Sequence, residues 1–294
     1  MPSKASSSTI YSEASCTLSN VDLYAVIGNP VAHSKSPLIH AAFARQTGQS
    51  MRYEAILAPE HAFAATVSSF AQRGGKGLNV TVPFKLEACK LADRLTERAE
   101  AAQAVNTLAF GYDFIQGDNT DGAGLVRDIA GNLQFPLCAA RILLMGAGGA
   151  ARGVLLPLLQ HQPCMLTIVN RNRPRANELQ ERFSRYGVVM SRDYADLRGQ
   201  QFDLVINSTS ASLKGQLPAL PPGVFAEGAL AYDMMYGIGP TPFLQFAQEQ
   251  GAARFVDGLG MLVEQAAESF FVWRGIRPKT APVIEMLRSQ AKIV

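Results

Sequence analysis

The stretch that decides the fold is Arg141-Ile-Leu-Leu-Met-Gly-Ala-Gly-Gly-Ala-Ala-Arg152, in the middle of the chain. Its apolar residues 142–145 predict a buried strand of a parallel sheet. Gly146 permits the tight turn out of the strand, and Gly148 lets the backbone approach a pyrophosphate. Ala151 is the small residue at which the following helix packs closely. The segment therefore predicts a dinucleotide-binding Rossmann sheet, with a plain tight turn as the alternative.

The residues after the next apolar run select between the two common dinucleotides. That run covers 165–169, and NAD enzymes carry an Asp or Glu for the ribose 2′-hydroxyl at its end. This chain has Asn170 and Arg171 there, followed by Arg173 and Arg175. A carboxylate would repel a 2′-phosphate, whereas a guanidinium binds it through two hydrogen bonds. The pattern predicts NADP(H) rather than NAD(H), and the alternative is a solvated, basic helix start.

Composition places the chain among globular proteins and argues against several classes of partner. Of its 294 residues 48% are hydrophobic and 17% charged, which suits one or two compact domains. The net charge of +3 comes from scattered residues, so nucleic acid is not expected as a partner. No apolar stretch has transmembrane length, so no membrane partner is expected. The histidines lack the spacing of zinc ligands, so no metal is expected.

The cysteines and the first residues bear on the cellular compartment. Cys16, Cys89, Cys138 and Cys164 lie far apart, without a C-x-x-C pair. In a chain of this length they predict free thiols in a reducing compartment, and hence a cytoplasmic protein. Residues 1–20 are rich in serine and lack both arginine and an apolar core, so we expect a disordered tail rather than a targeting signal.

Strand and helix patterns alternate along the chain, which predicts α/β layers. In the first half, strands are expected near 23–27, 53–57 and 77–80, with a pair within 107–116. In the second half, six runs are expected near 141–145, 165–169, 187–190, 203–207, 229–233 and 253–256. Two C-terminal helices, over 259–274 and near 280–291, follow the last strand and could return to the first half of the chain.

The segment His33-Ser-Lys-Ser-Pro37 has the form of a helix start. Serine is a favoured N-cap and proline a favoured first helical residue, ahead of a helix expected over 37–47. A helix N-terminus that carries the hydroxyls of Ser34 and Ser36 also suits a carboxylate. From the residues alone, a carboxylate site and a plain capped helix are equally supported.

A second segment, Asn79-Val-Thr-Val-Pro-Phe-Lys85, places polar residues on one face of a strand. Asn79 and Thr81 alternate with valines, and Pro83 ends the strand, so Lys85 falls just past its C-terminal edge. Clefts of open α/β sheets form at that edge, and a lysine there can act as an acid or a base. The alternative is an ordinary surface lysine.

Further polar groups follow in short clusters. Gly117-Asp-Asn-Thr-Asp-Gly122 is either a turn with a helix cap or a loop that places Asp121 in an interdomain cleft. Asn106 lies in a small apolar run, which predicts a buried partner or a ligand. Gln265 lies off the apolar stripe of its helix, which is also compatible with a solvated side chain. Residues 207–210 and 232–236 lie at the C-terminal ends of predicted strands, which face the cofactor, and residues 257–261 open the helix that carries Gln265.

Together these segments resemble the shikimate dehydrogenase family from about Val21 to Gln290. The motifs are HSKSP (33–37), NVTVPFK (79–85), AVNT (104–107), GDNTDG (117–122), GAGGAARG (146–153), NRNRPRA (170–176), YDMMYG (232–237) and DGLGMLVEQAA (257–267). The resemblance implies reversible reduction of 3-dehydroshikimate to shikimate by NADPH, within the biosynthesis of chorismate and the aromatic amino acids. This chain departs from the family pattern at two positions: Asn172 stands where a threonine is common, and Ala211 where a glycine is frequent. Neither departure removes a charged or catalytic group.

The resemblance also implies roles for individual residues. Lys85 would be the catalytic acid/base, with Asp121 as the catalytic residue beside it. Substrate contacts would come from Ser34 and Ser36 to the carboxylate, from Thr81, Asn106 and Gln265 to the hydroxyls, and from Lys85, Asp121 and Tyr236. Cofactor contacts would come from Gly146, Ala147, Gly148, Gly149, Ala150, Asn170, Arg171, Asn172, Arg175, Thr209, Met234 and Gly258. Glu97 matches a position that is sometimes assigned to the cofactor.

The implied architecture is a two-domain α/β protein with its active site in the interdomain cleft. Residues 21–121 and 257–294 would form the substrate-binding catalytic domain, and residues 122–256 the NADP-binding Rossmann domain. Family members occur as monomers and as homodimers. Two other functions stay open: a quinate/shikimate dehydrogenase that also uses NAD, and a non-catalytic NADPH-binding sensor. Asn170 and Arg171 argue against the first, and Lys85 with Asp121 argues against the second.

Overall fold

The computed structural model describes residues 21–291 except 210, 212–215, 217–218 and 238, and within that range it contains two six-stranded sheets. The predicted tail, Ser210 and residues 292–294 lie outside the described residues. The strands are β1 (Asp22–Gly28), β2 (Met51–Leu57), β3 (Gly75–Val80), β4 (Arg94–Leu95), β5 (Thr107–Phe110), β6 (Ile115–Asp118), β7 (Arg141–Met145), β8 (Met165–Val169), β9 (Val189–Arg192), β10 (Phe202–Asn207), β11 (Phe225–Asp233) and β12 (Arg254–Asp257). The α-helices are α1 (Ser36–Thr47), α2 (Phe63–Gln72), α3 (Lys85–Leu91), α4 (Glu97–Ala102), α5 (Asp121–Val126), α6 (Gly149–Gln160), α7 (Arg173–Phe183), α8 (Pro242–Glu249), α9 (Leu259–Arg274) and α10 (Ala281–Ala291).

The first sheet is mixed and has the strand order β2-β1-β3-β5-β6-β4. β1 pairs in parallel with β2 and β3, whereas β5 runs antiparallel to β3 and β6. A cluster around Phe63, Phe70 and Phe84 joins the sheet to α2 and α3. The predicted hairpin within 107–116 is therefore present as β5 and β6.

The second sheet is fully parallel, with the order β12-β11-β10-β7-β8-β9. This is the doubly wound order of dinucleotide-binding proteins, with the central strand β7 first in sequence. All four apolar residues 142–145 are fully buried, as expected for a strand covered on both faces. The six predicted runs are all found, with β9 shifted toward the C-terminus and β11 extended toward the N-terminus.

The C-terminal helices return to the first half of the chain. A separate core cluster joins Ile39 and Phe43 of α1 to Val263 and Phe270 of α9, with Leu287 of α10. Helix α5 packs between α9 and α6, and its apolar residues belong to the core under the second sheet. The division into 21–121 with 257–294 and 122–256 stays a prediction.

Helix α1 begins one residue earlier than the sequence predicted. Ser36 is its first residue and Pro37 its second, and the N-cap position is occupied by Lys35, whose side chain makes no capping bond. The prediction that a serine caps this helix is therefore wrong. Lys35 already has helical backbone angles, so the Ser34 hydroxyl reaches into the first turn and accepts from the backbone N of Ser36 at 3.3 Å.

Neither a candidate membrane span nor a candidate metal site is found among the described residues. In that part of the chain no helix has the length and apolar character needed to cross a membrane. Likewise, no three His, Cys, Asp or Glu side chains within the described ranges are grouped so that they could hold a metal ion.

Candidate active site

A cavity of about 360 Å³ is shared by segments of the two sheets. It opens at the carboxyl ends of β1 and β3, where clefts of α/β sheets form. The eight residues that the resemblance assigns to the substrate all line it: Ser34, Ser36, Thr81, Lys85, Asn106, Asp121, Tyr236 and Gln265. From the implied cofactor set it includes Ala150, Met234 and Gly258. One cavity thus brings together residues that are far apart in the sequence, from Val26 to Gln265.

An ion pair between Lys85 and Asp121 lies in the wall of this cavity. Lys85 is the first residue of α3 and Asp121 the first of α5, so each side chain starts at a helix N-terminus. Lys85 Nζ lies 2.5 Å from Asp121 Oδ2, and the two side chains are 19% and 8% exposed. Limited contact with water strengthens their attraction. An ammonium group held in this way can donate a proton to an oxygen in the cavity.

Asn106 fixes the other oxygen of the Asp121 carboxylate. Its Nδ2 donates to Asp121 Oδ1 at 2.8 Å, and its Oδ1 accepts from the backbone N of Thr120 at 2.8 Å. Because a backbone N–H can only donate, the orientation of the Asn106 amide is determined. Asn106 is 2% exposed and still contributes to the cavity wall. It therefore has both the buried partner and the ligand-facing position that the sequence left as alternatives.

Gln265 reaches the same wall from α9. Its Oε1 lies 3.4 Å from Asn106 Nδ2 and 3.4 Å from Thr120 Oγ1. Its Nε2 donates to the carbonyl oxygen of Leu262 at 2.9 Å. The side chain is therefore part of a polar network, and the alternative of a solvated surface glutamine does not apply.

Ser34, Ser36 and Tyr236 supply three hydroxyl groups to another part of the wall. Ser36 is 6% exposed and opens α1, whose first-turn N–H groups carry the positive end of the helix dipole. Burial raises the pKa of the Tyr236 hydroxyl, so the phenol stays protonated and can donate. The Ser34 and Ser36 hydroxyls at the helix N-terminus, with the Tyr236 hydroxyl in the same cavity, are groups that suit a carboxylate.

The glycine turn that begins at Gly146 lies next to Lys85. Gly146 has a φ of +109°, and a Cβ there would lie 2.6 Å from Ser208 Oγ, so the turn requires glycine. A Cβ on Gly148 would meet nothing within 4 Å, which leaves that side of the loop open to a ligand. A Cβ on Gly149 would lie 4.0 Å from the Cβ of Lys85. The N-terminus of α6, where a pyrophosphate would bind, is thus adjacent to the lysine.

The arginines after β8 differ in their surroundings. Arg173 forms an ion pair with Asp193. Arg171 and Arg175 are exposed, and neither forms an ion pair with any residue that the structure describes. Two exposed guanidinium groups next to the strand end are a donor set that fits a 2′-phosphate. The cofactor implied by the sequence is therefore compatible with the residues present.

Asn170, Asn172 and Thr209 shape the loops around that region. Asn172 is the N-cap of α7, and its Oδ1 accepts from the backbone N of Arg175 at 3.4 Å. Asn170 Nδ2 donates to the carbonyl oxygen of Asn172 at 2.8 Å. Thr209 donates from both N and Oγ1 to Asn207 Oδ1, at 3.1 and 2.7 Å. These bonds give the loops a defined conformation in addition to any contact with a cofactor.

Two further residues of the implied cofactor set have contrasting positions. Gly258 packs against Met234, because a Cβ there would lie 2.3 Å from the Met234 carbonyl oxygen, and both residues line the cavity. Glu97 is exposed at the first position of α4 and is not part of the cavity wall. Its assignment to the cofactor stays a prediction.

Sequence reasoning missed a buried ion cluster behind the site. Arg98 Nε and Nη2 donate to the two oxygens of Asp118, each at 2.6 Å, and Nη1 donates to Glu268 Oε1 at 3.0 Å. Burial raises the pKa of the Asp118 carboxyl, but the hydrogen bonds and charge of Arg98 outweigh it, and the pKa is lowered. Asp118 lies three residues before Asp121, and Glu268 three residues after Gln265. The cluster therefore ties together the two segments that carry these site residues.

The fold and the site define a class of protein, a two-domain NADP-dependent oxidoreductase. The family model described as the shikimate dehydrogenase substrate binding domain matches residues 26–108. Models described as shikimate/quinate 5-dehydrogenase and as the shikimate 5′-dehydrogenase C-terminal domain match residues 128–214 and 258–288. The chain belongs to the shikimate dehydrogenase family.

Known relatives are similar over most of the chain. A shikimate dehydrogenase (NADP(+)) of Nitrosospira multiformis is 71% identical over 91% of this chain and 98% of its own length. One from Aromatoleum aromaticum is 60% identical, over 92% of this chain and 98% of its own. Among solved structures, an Ael1 enzyme from Pseudomonas putida has 51% identity and a TM-score of 0.86, covering 90% of this chain and 98% of that one. Shikimate 5-dehydrogenase from Thermus thermophilus in complex with NADP(H) and shikimate has 31% identity and a TM-score of 0.82, covering 92% and 100%.

Proposed function

We propose that the chain catalyses the reversible, NADPH-dependent reduction of 3-dehydroshikimate to shikimate, a step toward chorismate and the aromatic amino acids. The observation that carries this proposal is the Lys85–Asp121 pair at 2.5 Å, in a cavity that also holds a cluster of hydroxyl donors and adjoins the glycine turn. A proton donor, a carboxylate site and a nucleotide loop are the three parts that reduction of a ketone on a carboxylic acid requires.

Substrate binding is proposed to use the residues of the cavity wall. Ser34 and Ser36, with Tyr236, would hold the carboxylate. Thr81, Asn106 and Gln265 would accept or donate hydrogen bonds at the ring hydroxyls. With one end of the ring fixed by its carboxylate, the carbonyl at the other end would lie beside Lys85, and such orientation lowers the entropic barrier to reaction.

Lys85 is proposed as the general acid. The chemistry supplied by bound NADPH is hydride delivery to the carbonyl carbon, which leaves negative charge on the oxygen. The Lys85 ammonium would stabilise that charge and donate its proton, and in the reverse direction the amine would accept the proton from the hydroxyl. Asp121 would hold the Lys85 ammonium group in position, since Asn106 fixes the carboxylate itself.

The cofactor would be held by the second sheet. Gly146, Ala147, Gly148, Gly149 and Ala150 would bind the pyrophosphate with backbone N–H groups at the start of α6. Arg171 and Arg175, with Asn170 and Asn172, would bind the ribose and its 2′-phosphate. Thr209, Met234 and Gly258 would lie along the path to the cavity. Closure of the two domains around both ligands would exclude water from the reacting atoms.

The oligomeric state and the compartment are also proposals. We propose a monomer or a homodimer, which light scattering after gel filtration distinguishes directly. Cys89, Cys138 and Cys164 carry free thiols. Free thiols support a cytoplasmic location, because disulfides are rare there.

The decisive experiment is steady-state kinetics with shikimate or quinate, each paired with NADP⁺ or NAD⁺. We expect reduced nicotinamide to form with shikimate and NADP⁺, with much lower kcat/KM for the other three pairs. Efficient use of quinate and NAD⁺ would instead identify a dual-specificity quinate/shikimate dehydrogenase. If the protein binds NADPH but turns over neither acid, the remaining alternative is a non-catalytic NADPH-binding sensor.

A further inference from the structure

Helix α6, which follows the glycine turn, packs on the first half of the chain through one of its faces. Gly149, Gly153 and Pro157 are spaced four residues apart, so they lie on the same face of α6. Gly149 lies next to Lys85, since a Cβ there would be 4.0 Å from the lysine Cβ. Gly153 packs on Asn119, since a Cβ there would be 2.8 Å from Asn119 Oδ1 and 2.9 Å from Nδ2. The face of α6 next to Lys85 is therefore also in tight contact with Asn119.

Asn119 is held in place by hydrogen bonds at both atoms of its amide. Its Nδ2 donates to the carbonyl oxygen of Ala104 at 2.9 Å, and its Oδ1 accepts from the backbone N of Asp121 at 3.2 Å. The residue is fully buried, so rotation of the amide would leave polar groups without partners and without water. Asn119 is therefore a rigid spacer between helix α6 and the loop that leads to Asp121.

A second close approach between the same segments lies directly after Asp121. A Cβ on Gly122, the second residue of α5, would lie 2.4 Å from the carbonyl oxygen of Gly153 and 2.5 Å from Pro157 Cγ. Backbone and a proline ring cannot rotate aside, so this contact is also rigid. Asn119, Gly122 and Gly153 do not line the cavity. These contacts outside the cavity thus fix the separation between α5, which carries Asp121, and α6, whose N-terminus would hold the pyrophosphate.

We propose that Asn119 and Gly153 are positioning residues that set the distance between the proton donor and the cofactor. The inference rests on the proposed function, because it takes Lys85 as the general acid and the glycine turn as the pyrophosphate site. It goes beyond that function by assigning the alignment of substrate and cofactor to a packing contact outside the cavity. A methyl group at Gly153 would need about 0.6 Å of additional space to reach the 3.4 Å of an ordinary contact. A misplacement of about 1 Å can slow an enzyme about 10²-fold, so a displacement of α6 by this amount should be measurable.

The test is Gly153→Ala, which adds one methyl group at the contact and changes no residue of the glycine turn or the cavity wall. The rate constant of hydride transfer is measured in a single turnover, with enzyme in excess over NADPH and saturating 3-dehydroshikimate, so that it does not depend on the fraction of active protein. We expect this constant to fall about tenfold, while the Kd values for NADPH and shikimate change less than about twofold, because each ligand keeps its own contacts. Gly131→Ala is the matched control, because a Cβ on Gly131 would meet nothing within 4 Å.

Asn119→Ala tests the same contact from its other side. It removes the three atoms that would lie nearest to a Cβ at Gly153, together with the hydrogen bond to the backbone N of Asp121, so we expect a lower rate constant here too. When Gly153→Ala is added to Asn119→Ala, the rate constant should change by less than about twofold, because the added methyl no longer meets the amide. If Gly153→Ala does not fold, Asn119→Ala alone decides, and an unchanged rate constant there overturns the inference.

Three results with folded Gly153→Ala would also overturn the inference: an unchanged rate constant, a loss of NADPH affinity as large as the loss of rate, or a tenfold effect that persists in the Asn119→Ala background. Cooperative thermal unfolding shows that each variant is folded. A wild-type protein that binds NADPH but does not reduce 3-dehydroshikimate would refute the proposed function itself, which is a distinguishable result.

Discussion

Lys85 is the residue on which the proposed chemistry depends most directly. Its ammonium group contacts Asp121, whose carboxylate is in turn fixed by Asn106, so the donor has a defined position. The glycine turn approaches the base of the Lys85 side chain, so the same residue lies at the junction of substrate and cofactor regions. Removing it should therefore affect the proton transfer much more than either binding step.

We expect Lys85→Ala to lower kcat about 10²–10⁴-fold, the usual range for loss of a general acid, with a smaller change in the KM for shikimate. The proposed carboxylate site at Ser34 and Ser36 keeps its side chains in this variant. Lys90→Ala, at an exposed position of the same helix, should leave both constants unchanged. Steady-state kinetics with shikimate and NADP⁺ measure the effect, and near-normal turnover of Lys85→Ala would show that the acid/base role is wrong.

Arg171 is predicted to select the cofactor. Arg171→Ala removes an exposed guanidinium, and loss of a charge-assisted hydrogen bond to the 2′-phosphate should raise the KM for NADP⁺ about 10–100-fold. The KM for NAD⁺ should change little, because NAD⁺ lacks that phosphate. Arg198→Ala, also exposed, tests whether any lost positive charge has the same effect. Equal losses for NADP⁺ and NAD⁺ would place Arg171 away from the 2′-phosphate.

Among the helices and strands, those that could be predicted from the sequence are the ones whose conformation is determined by residues adjacent in the chain. The strand β7, the glycine turn and α6 follow from a local pattern of apolar, glycine and alanine residues, and each is where it was predicted. The α1 cap was mispredicted because the conformation of Lys35 is not visible in residue types. Contacts such as Asn119–Gly153 depend on how distant parts of the chain pack together, which no local pattern encodes. Gln265 illustrates this, since the resemblance and not its helix pattern indicated the site.

The ion cluster at Arg98 connects α4, β6 and α9. Arg98→Met would leave Asp118 buried without its cation, and breaking a buried pair costs about 3–5 kcal/mol of unfolding free energy. Arg141→Met is the matched control, because its pair with Asp203 has side chains 42% and 33% exposed and should contribute less than about 1 kcal/mol. Urea unfolding measures both, and equal losses would show that the buried cluster has no special role.

The folded protein as a whole should lose stability in mild acid because of one buried imidazole, that of His40. Burial lowers the pKa of His40 to about 3, whereas an unfolded histidine has a pKa of about 6.5. Between these values the unfolded chain binds one more proton than the folded protein, so acid favours unfolding. The free energy of unfolding should therefore fall by up to about 1.4 kcal/mol per pH unit as the pH drops below about 6.5, and stay level above it.

Urea unfolding between about pH 7.5 and about pH 5 tests this. In the folded protein the pKa values of Asp118 and Glu268 are lowered, so these carboxyls make the unfolding free energy depend on pH only near and below the pKa of unfolded carboxyls, about 4. His40→Phe should flatten the profile by about 2 kcal/mol over that interval. His161→Gln, at an exposed position, should keep the wild-type slope. A wild-type profile that is already flat would mean that His40 is not the source of acid sensitivity.

The packing of α1 against α9 and α10 has a consequence for synthesis of the protein on the ribosome. Ile39 and Phe43 are fully buried, and their cover comes from residues as late as Phe270 and Leu287. A nascent chain that has exposed only the first sheet would carry this apolar surface uncovered while the second sheet is translated and folds. The Rossmann sheet can thus become complete before its partner domain, and the candidate active-site cavity becomes complete only when Gln265 arrives with α9.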